Sequence, residues 1–207
     1  YGVELKDVFE NCTALDRNDL SERSFSKKEA QFGYRSSYFK TEGKGQYVIT
    51  AVRFRLTKKA HQINISYGAI KEALGYQETT PQNIANAVIG IRQSKLPNPA
   101  ELGNSGSFFK NPIITKAQYD QLLLTHPSLP AYPQENGEVK VPAGWLIDQL
   151  GFKGKRIGDA GVHAKQALVL VNYGAASGQE ILALAIEIQA TVKENFDIDL
   201  EAEVNIL

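Results

Sequence analysis

The chain has 207 residues, enough for one large domain or two small ones, and its 43% hydrophobic and 22% charged residues are typical of a globular protein. The 23 basic and 23 acidic residues cancel to a net charge of zero, which argues against a general nucleic-acid or membrane-surface binder, because such proteins need a basic excess. The single cysteine, Cys12, excludes a scaffold held by intramolecular disulfides, and no apolar run approaches the ~20 residues of a membrane span. We therefore expect a soluble, cytoplasmic protein.

The first residue is Tyr1, and the chain contains no methionine. We therefore expect a piece of a longer protein whose upstream part is missing. Whether that part was removed by cloning or by proteolysis is left open.

The first quarter of the chain has the short β-branched and aromatic runs that are typical of strands, starting at residues 1–5. Residues 47–56 are the clearest strand, because apolar and arginine side chains alternate from Val52 onward. The glycine-bearing residues 41–45 that precede it predict a turn.

Helical signals dominate the middle of the chain. Thr80 as N-cap and Pro81 as first helical residue predict a helix that continues to Pro97. The following stretch, up to Gly106, is rich in proline and glycine and has no periodicity, which predicts a hinge. We place the domain boundary after residue 96.

The remainder alternates between strand and helix signals, so we predict an α+β fold. The predicted strands cover residues 107–114, 139–141, 167–171 and 200–207. The predicted helix starts are a capping box at Thr115 and Gln118, the proline at Pro142, and a capping box at Ser177 and Glu180.

The common catalytic signatures are missing. The pair of glycines at Gly43 and Gly45 lacks the third glycine of a dinucleotide fingerprint. The three histidines, His61, His126 and His163, are far apart and have no second cysteine beside them, so we expect no metal site.

One segment, residues 103–112, reads Gly-Asn-Ser-Gly-Ser-Phe-Phe-Lys-Asn-Pro. A ligand could approach its backbone closely at the two glycines, with Ser107 beside that backbone and Lys110 or Asn111 within reach. The same residues also fit a serine-containing turn that leads into a strand, with the phenylalanine pair in the core.

This segment strongly resembles the UDP-N-acetylenolpyruvoylglucosamine reductase family, flavoenzymes of peptidoglycan precursor synthesis. Further segments that resemble the family follow in the expected order, at residues 1–5, 32–37, 94–99, 143–148, 163–172 and 200–204. The resemblance covers nearly the whole chain and is closest to the longer form of the family, which has a tyrosine loop that closes on the substrate.

The resemblance implies the fold of each part. Residues 1–96 would be the end of the second lobe of a flavin domain of the vanillyl-alcohol-oxidase type. Residues 97–199 would be an α+β substrate-capping domain, and residues 200–207 a terminal strand that returns toward the flavin lobes. The loops that bind FAD would precede Tyr1, so no cofactor-binding residue is assigned, and the protein would be a monomer.

The resemblance also implies a reaction. NADPH reduces FAD, the reduced flavin transfers hydride to C3 of UDP-N-acetylglucosamine enolpyruvate, and protonation of C2 gives UDP-N-acetylmuramate. Ser107 matches the family's proton donor, Arg35 the arginine beside the substrate carboxylate, and Glu203 the active-site glutamate. Without the resemblance, Arg35 would be read as a surface arginine and Glu203 as a solvated carboxylate.

Five further residues match substrate contacts of the family. Tyr67 matches the loop tyrosine, Lys95 and Asn111 match contacts to the diphosphate, Gln166 matches a substrate-contacting glutamine, and Arg92 is a weaker candidate for the diphosphate. Alternatively, Tyr67 is a turn residue, Lys95 compensates a helix dipole, and Gln166 is a structural hydrogen-bonding residue.

Two other functions stay open at this stage. The chain could be a UDP-sugar-binding module without redox turnover, because the flavin lobe is missing, or an interaction domain derived from the same fold. The presence of Ser107, Arg35 and Glu203 together argues against a decayed site. Asn205 stands where the family often has an arginine, so one cation near Glu203 is lost.

Overall fold

The computed structural model describes residues 3–67 and 69–206. Parts of the predicted first and last strands and of the tyrosine loop fall on the four residues outside this description, which are Tyr1, Gly2, Gly68 and Leu207. The chain divides into two compact units, Tyr1–Ile91 and Arg92–Leu207. The division falls inside a helix, and the predicted boundary after residue 96 lies at the end of that helix; the roles of the domains stay predictions.

The helices of the described chain are α1 (Leu5–Val8), α2 (Ile70–Leu74), α3 (Pro81–Lys95), α4 (Lys116–Thr125), α5 (Ala143–Gln149) and α6 (Gly178–Phe196), with a 3₁₀ turn at Tyr38–Lys40. The strands are β1 (Phe9–Asp16), β2 (Glu22–Ser26), β3 (Tyr47–Phe54), β4 (Gly103–Ser107), β5 (Ile113–Ile114), β6 (Tyr132–Pro133), β7 (Val139–Lys140), β8 (Arg156–Ile157), β9 (Ala160–Val162) and β10 (Val169–Asn172). Helices together with small antiparallel sheets confirm the predicted α+β class. None of these helices is both long and apolar enough to cross a membrane.

The first unit is built on an antiparallel sheet with the strand order β2-β1-β3. Phe25 of β2 is 1% exposed and meets Phe39 and Tyr47 edge to face, at centroid distances of 5.0 and 4.9 Å. Cys12 of β1 belongs to the same core, and burial raises the pKa of its thiol. The lone cysteine is therefore a neutral packing residue at pH 7.

The predicted strand over residues 47–56 is confirmed as β3, which ends at Phe54. Because β3 lies at the edge of its sheet, Val52 and Phe54 are 43% and 44% exposed among the described residues. The alternation therefore identified the strand but not a buried face.

The second unit contains two antiparallel sheets, with strand orders β4-β10-β9-β8 and β5-β7-β6. Helix α6 packs on β9 and β10 and also contacts α5. The apolar face of α6 is buried in the core through Leu184, Ala185, Ile188 and Val192. This core supports the segments that carry the candidate site.

The helix caps follow the local sequence in part. In the capping box of α6, Ser177 Oγ accepts from the N–H of Glu180 at 3.3 Å, and the Glu180 carboxylate accepts from the N–H of Ser177 at 2.8 Å. Only half of the predicted box forms at α4. Thr115 Oγ1 accepts from the N–H of Gln118 at 3.1 Å, but the Gln118 side chain donates to Asp197 O at 2.8 Å and so ties α4 to the end of α6.

Two predicted strands were wrong. Residues 5–8 form α1, because the N–H of Glu4 donates to the Asp7 carboxylate at 2.8 Å and starts a helical turn. The strand predicted over residues 107–114 is displaced, since β4 ends at Ser107 and β5 begins at Ile113. The glycine-rich sequence of β4 has no apolar alternation, and its strand conformation comes from pairing with β10.

The predicted terminal strand over residues 200–207 was also wrong as a regular strand. In the described part, a single bridge joins Ala202 to Phe109. The first half of the alternation does pack on the core, since Leu200 is 5% exposed, but Ile206 is 57% exposed. The segment has too short a partner to continue a ladder.

Glu29 generates a prediction about pH. Its carboxylate accepts from the N–H and Oγ of Ser26 at 2.9 and 2.7 Å and from Arg23 Nη2 at 3.2 Å. The Ser26 N–H, then the Ser26 hydroxyl and Arg23, lower the pKa of Glu29 to about 2. A carboxyl whose folded pKa is depressed stabilises the protein above its unfolded pKa of about 4.3, and this contribution disappears as the pH falls toward 2.

We therefore expect Glu29→Gln to lower the free energy of unfolding at pH 7 and to have a much smaller effect near pH 2, in urea titrations over a pH series. The matched control is Glu22→Gln, at an exposed glutamate of β2, which should have little effect at any pH. A loss in Glu29→Gln that is equal at both pH values would contradict the stated cause.

Candidate functional site

Ser107 is the last residue of β4 and directly follows a β-bulge. Ser107 pairs with Val169 of β10 and Asn104 pairs with Val171, so the two residues between Asn104 and Ser107 oppose a single residue of β10. One of these two is Gly106, with a φ of +75°, a conformation that strongly favours glycine. Because bulges re-aim the neighbouring side chain, this one sets the direction of Ser107.

The two phenylalanines that follow fix this segment to the core. Phe108 and Phe109 are 6% and 1% exposed. The N–H of Phe108 donates to Leu168 O at 2.7 Å, which continues the contact with β10. Since side chains alternate along an extended chain, Ser107 lies on the face opposite to Phe108 and thus away from the core.

Glu203 lies on the other side of the same segment. Its N–H donates to Phe108 O at 2.8 Å. Ser107 precedes Phe108 directly, so the backbone of Glu203 is bonded to the residue that follows Ser107. Whether the two side chains meet at one site stays a prediction.

A second backbone bond completes a short ladder beside this contact. The N–H of Lys110 donates to Glu201 O at 2.9 Å, and the side chains of these two residues form an ion pair. Lys110 was a candidate ligand contact from the sequence, whereas in the structure its ammonium group pairs with the terminal segment. It therefore fastens the segment that carries Glu203.

Asn111 and Gln166 both lie beside the first turn of α5. Asn111 Oδ1 accepts from the N–H of Ala143 at 3.0 Å, which leaves the amide N–H groups of Asn111 as donors for a ligand. Gln166 Oε1 accepts from the N–H of Leu168 at 3.4 Å and lies 3.5 Å from the place that a Cβ on Gly144 would occupy. Four predicted site residues thus share one region of the second unit: Ser107, Asn111, Gln166 and Glu203.

Arg35 lies at the tip of a tight turn in the first unit. Gly33 and Ser36 exchange two backbone hydrogen bonds at 3.0 and 3.2 Å, and Arg35 between them has a φ of +52°. This left-handed conformation costs a non-glycine residue about 1–2 kcal/mol, and such strain is concentrated at functional sites. Because Arg35 and Ser107 belong to different units, their convergence on one cleft stays a prediction.

The remaining candidates are on exposed segments. Tyr67 is 54% exposed, in the irregular stretch between β3 and α2, and its role in closing on a ligand stays a prediction. Arg92 and Lys95 lie in the last turn of α3 and share one face of it. Basic residues also compensate the dipole at that end of a helix, so the geometry agrees with both readings of Lys95.

The histidine nearest in sequence to Gln166 is uncharged at pH 7. Burial, and then the charge of Lys165, lowers the pKa of His163, and its buried Nδ1 has no hydrogen-bond partner among the described residues. His163 therefore adds no positive charge beside Gln166. The described chain has no group of three His, Cys, Asp or Glu side chains placed to hold a metal ion.

The arrangement offers a hydroxyl, a carboxyl and two amide groups around one open backbone. A Cβ built on Gly106 would meet no atom within 4 Å, so the backbone is open at this position. The amides can bind polar parts of a ligand, and the role of the Glu203 carboxyl stays a prediction.

The sequence did not identify the roles of Asn104 and Glu201, and it assigned Lys110 to a ligand instead of to an ion pair. Asn104 accepts from the N–H of Gly106 at 3.0 Å, and the Asn-x-Gly spacing is typical of such a turn. Lys110 and Glu201, in contrast, are 91 residues apart, and no local pattern predicts their ion pair.

The chain matches a family model described as "UDP-N-acetylenolpyruvoylglucosamine reductase, C-terminal domain" over residues 98–207. Two curated relatives, both named UDP-N-acetylenolpyruvoylglucosamine reductase, come from Flavobacterium johnsoniae and Chromobacterium violaceum and are 55% and 52% identical. Each match covers 100% of this chain and 62% of the relative. The chain thus spans about three fifths of the length of these relatives.

A solved structure has a similar fold. The crystal structure of UDP-N-acetylenolpyruvylglucosamine reductase from Thermus caldophilus aligns with a TM-score of 0.55 and 23% sequence identity, over 97% of this chain and 53% of that chain. At this identity the likeness concerns the fold alone, and it agrees with the α+β class.

The bulge generates a prediction about stability. We expect Gly106→Ala to lower the free energy of unfolding by about 1–2 kcal/mol, because alanine must adopt the left-handed conformation of Gly106. The matched control is Gly103→Ala in the same strand, where the added Cβ would lie 3.5 Å from Asn172 Cβ, an ordinary contact, and should cost less than about 0.5 kcal/mol. Equal losses of the two variants in urea unfolding would show that the backbone at Gly106 is not strained for alanine.

Proposed function

This chain belongs to the family of UDP-N-acetylenolpyruvoylglucosamine reductases, and from this membership we propose that it forms the C-terminal part of an FAD-dependent reductase. The complete enzyme reduces UDP-N-acetylglucosamine enolpyruvate to UDP-N-acetylmuramate with NADPH as co-substrate, in the cytoplasmic synthesis of peptidoglycan precursors. The observation that supports the proposal is the backbone hydrogen bond from Glu203 to Phe108, the residue that follows Ser107. Addition of hydrogen across an enolpyruvyl double bond needs a proton donor and a group that faces the developing charge.

Ser107 is the proposed proton donor. A hydride added at C3 leaves negative charge on C2 and on the adjacent carboxylate, and C2 then takes the hydroxyl proton of Ser107. A serine hydroxyl is a weak acid, but an enolate carbon is a strong base, so the transfer is feasible. The serine afterwards regains a proton from solvent.

Glu203 and Arg35 are the proposed stabilisers of that charge. The Glu203 carboxyl is the group proposed to polarise the enolpyruvyl unit, from a backbone fixed by its bond to Phe108. Arg35 presents paired N–H donors to the substrate carboxylate and stays charged at any working pH. The left-handed φ of Arg35 agrees with this role, since such backbone strain is concentrated at functional sites.

The proposed diphosphate contacts are Lys95, Asn111 and, more weakly, Arg92. Asn111 is the best supported of the three, because its carbonyl oxygen is already bonded to α5 and its N–H groups are oriented as donors. Gln166 contacts the sugar nucleotide from the neighbouring turn, and Tyr67 closes over it from an exposed loop.

The open backbone at Gly106, where a Cβ would meet no atom within 4 Å, supports close approach of a ligand or cofactor next to Ser107 in the chain. When bound, FAD supplies the hydride. The chain's own contribution is the proton at Ser107, the orientation of the substrate and the charge around its carboxylate. No residue of this chain is assigned to the rest of the cofactor.

The alternative function is a UDP-sugar-binding module without redox turnover. It is supported by the amide groups of Asn111 and Gln166, which both lie beside the first turn of α5 within the part of the chain that the family model matches. Absorbance in the flavin band distinguishes the two proposals. A purified chain that binds the UDP-sugar but shows no flavin band supports the binding module.

The reductase proposal predicts a selective effect of Ser107→Ala in the complete enzyme. Flavin reduction by NADPH should be nearly unchanged, because that half-reaction needs no proton at the substrate carbon. Oxidation of the reduced flavin by the enolpyruvyl substrate should slow by about 10²–10⁴-fold, as expected for loss of a positioned acid. Stopped-flow absorbance measures the two half-reactions separately.

Ser105→Ala is the matched control, since Ser105 is an exposed serine of the same strand and should leave both rates unchanged. Ser107→Cys should recover part of the rate, because a thiol also donates a proton. If both half-reactions slow equally in Ser107→Ala, the residue shapes the site and is not the acid.

A further inference from the structure

Asn104 lies at the start of the bulge of β4, and its side-chain amide is bonded to Leu102 O and to the N–H of Gly106. We propose that Asn104 is a positioning residue that holds the bulge closed and thereby sets the direction of the Ser107 hydroxyl. The inference rests on the proposed function of Ser107 and extends it to a residue with no chemistry of its own.

Two hydrogen bonds of the part-buried Asn104 side chain span the bulge. Its Oδ1 accepts from the N–H of Gly106 at 3.0 Å, and its Nδ2 donates to Leu102 O at 2.8 Å. One end of the amide therefore holds the residue just before Ser107, and the other end holds the chain just before β4. We call these two bonds the clasp.

The register explains why the clasp matters for Ser107. Asn104 pairs with Val171 and Ser107 with Val169, and residues that pair across antiparallel strands project to the same face. If the same residues paired regularly, without a bulge, Gly106 would oppose Val169, and the side chain of Ser107 would project to the face that Phe108 now occupies in the core. The bulge thus keeps the hydroxyl out of the core.

The clasp also supplies a hydrogen-bond acceptor for the backbone N–H of Gly106, which lies in the bulge. A bulge disrupts the ladder locally, and Gly106 with its φ of +75° is where the disruption occurs. An asparagine side chain satisfies a backbone N–H two residues ahead, as it does in turns. Loss of this bond frees the peptide between Ser105 and Gly106, one residue before Ser107, to rotate.

The first arm of the test measures the clasp itself, by hydrogen exchange at the Gly106 amide in the complete enzyme. Asn104→Ala should raise the exchange rate about two- to tenfold, the effect of losing one ordinary hydrogen bond. Asn104→Asp retains the acceptor oxygen and should keep the protection of Gly106. The matched control is Asn98→Ala, because Asn98 makes the same type of bond to the N–H of Ala100, at 3.2 Å, and lies outside β4.

The second arm measures the proton transfer. In Asn104→Ala, oxidation of the reduced flavin by the substrate should slow about 10- to 100-fold, and its solvent deuterium isotope effect should increase, because a misdirected acid makes proton transfer rate-limiting. Flavin reduction by NADPH and substrate KM should change less than about twofold. Asn104→Asp should restore most of the oxidation rate, and Asn98→Ala should match the unmodified enzyme in every measurement.

The outcomes separate the clasp from the proposed function. Faster exchange at Gly106 together with an unchanged oxidation rate and isotope effect overturns the positioning role of Asn104. If Asn104→Ala does not fold, Asn104→Asp decides alone: a protected Gly106 amide with a collapsed oxidation rate also overturns it. If Ser107→Ala slows both half-reactions equally in the same assays, the proposed function on which the inference rests is overturned.

Discussion

A short antiparallel ladder between residues 108–110 and 201–203 is the contact on which the candidate site depends. Its two backbone hydrogen bonds, at 2.8 and 2.9 Å, each contribute about 0.5–1.5 kcal/mol. The phenylalanine in the middle of the ladder, Phe109, is 1% exposed, and truncating such a side chain costs about 3–5 kcal/mol. The aromatic anchor therefore supplies most of the stability, and the hydrogen bonds set the register. A slip of one residue would turn Glu203 to the other face.

The ladder requires the end of the chain to return to β4. Helix α6 ends at Asp197, whose left-handed φ of +52° reverses the chain direction. Directly afterwards Ile198 and Leu200 are 2% and 5% exposed, and Gln189 of α6 donates to Leu200 O at 2.7 Å. Ion pairs of Lys193 on the surface of the same turn contribute little by comparison, because exposed pairs are worth about 0–1 kcal/mol. Burial of Ile198 and Leu200 thus fixes the direction of the chain segment that contains Glu203.

A positive φ occurs both directly before the proposed acid and at the proposed cation. Gly106 precedes the proposed acid and Arg35 is the proposed cation, and both have a positive φ. Glycine adopts this conformation at no steric cost, whereas Arg35 does so at a cost of about 1–2 kcal/mol. The two positions differ in what they must supply. At Gly106 only the backbone conformation matters, whereas at position 35 the proposed role requires a guanidinium group, which glycine does not have.

The sequence by itself determined the local elements, the α+β class and the family. The capping box of Ser177 and the strand β3 were predictable because their signals lie within a few residues, and the segment at 103–112 identified the family and Ser107. Tertiary structure decided which residues meet. Strand β4 has no apolar alternation and exists through its pairing with β10, and the ion pair of Lys110 and Glu201 joins residues 91 positions apart. The expected terminal strand was reduced to one bridge for the same reason: a side-chain pattern records which face is apolar, but the length of a ladder depends on a partner that only the folded chain provides.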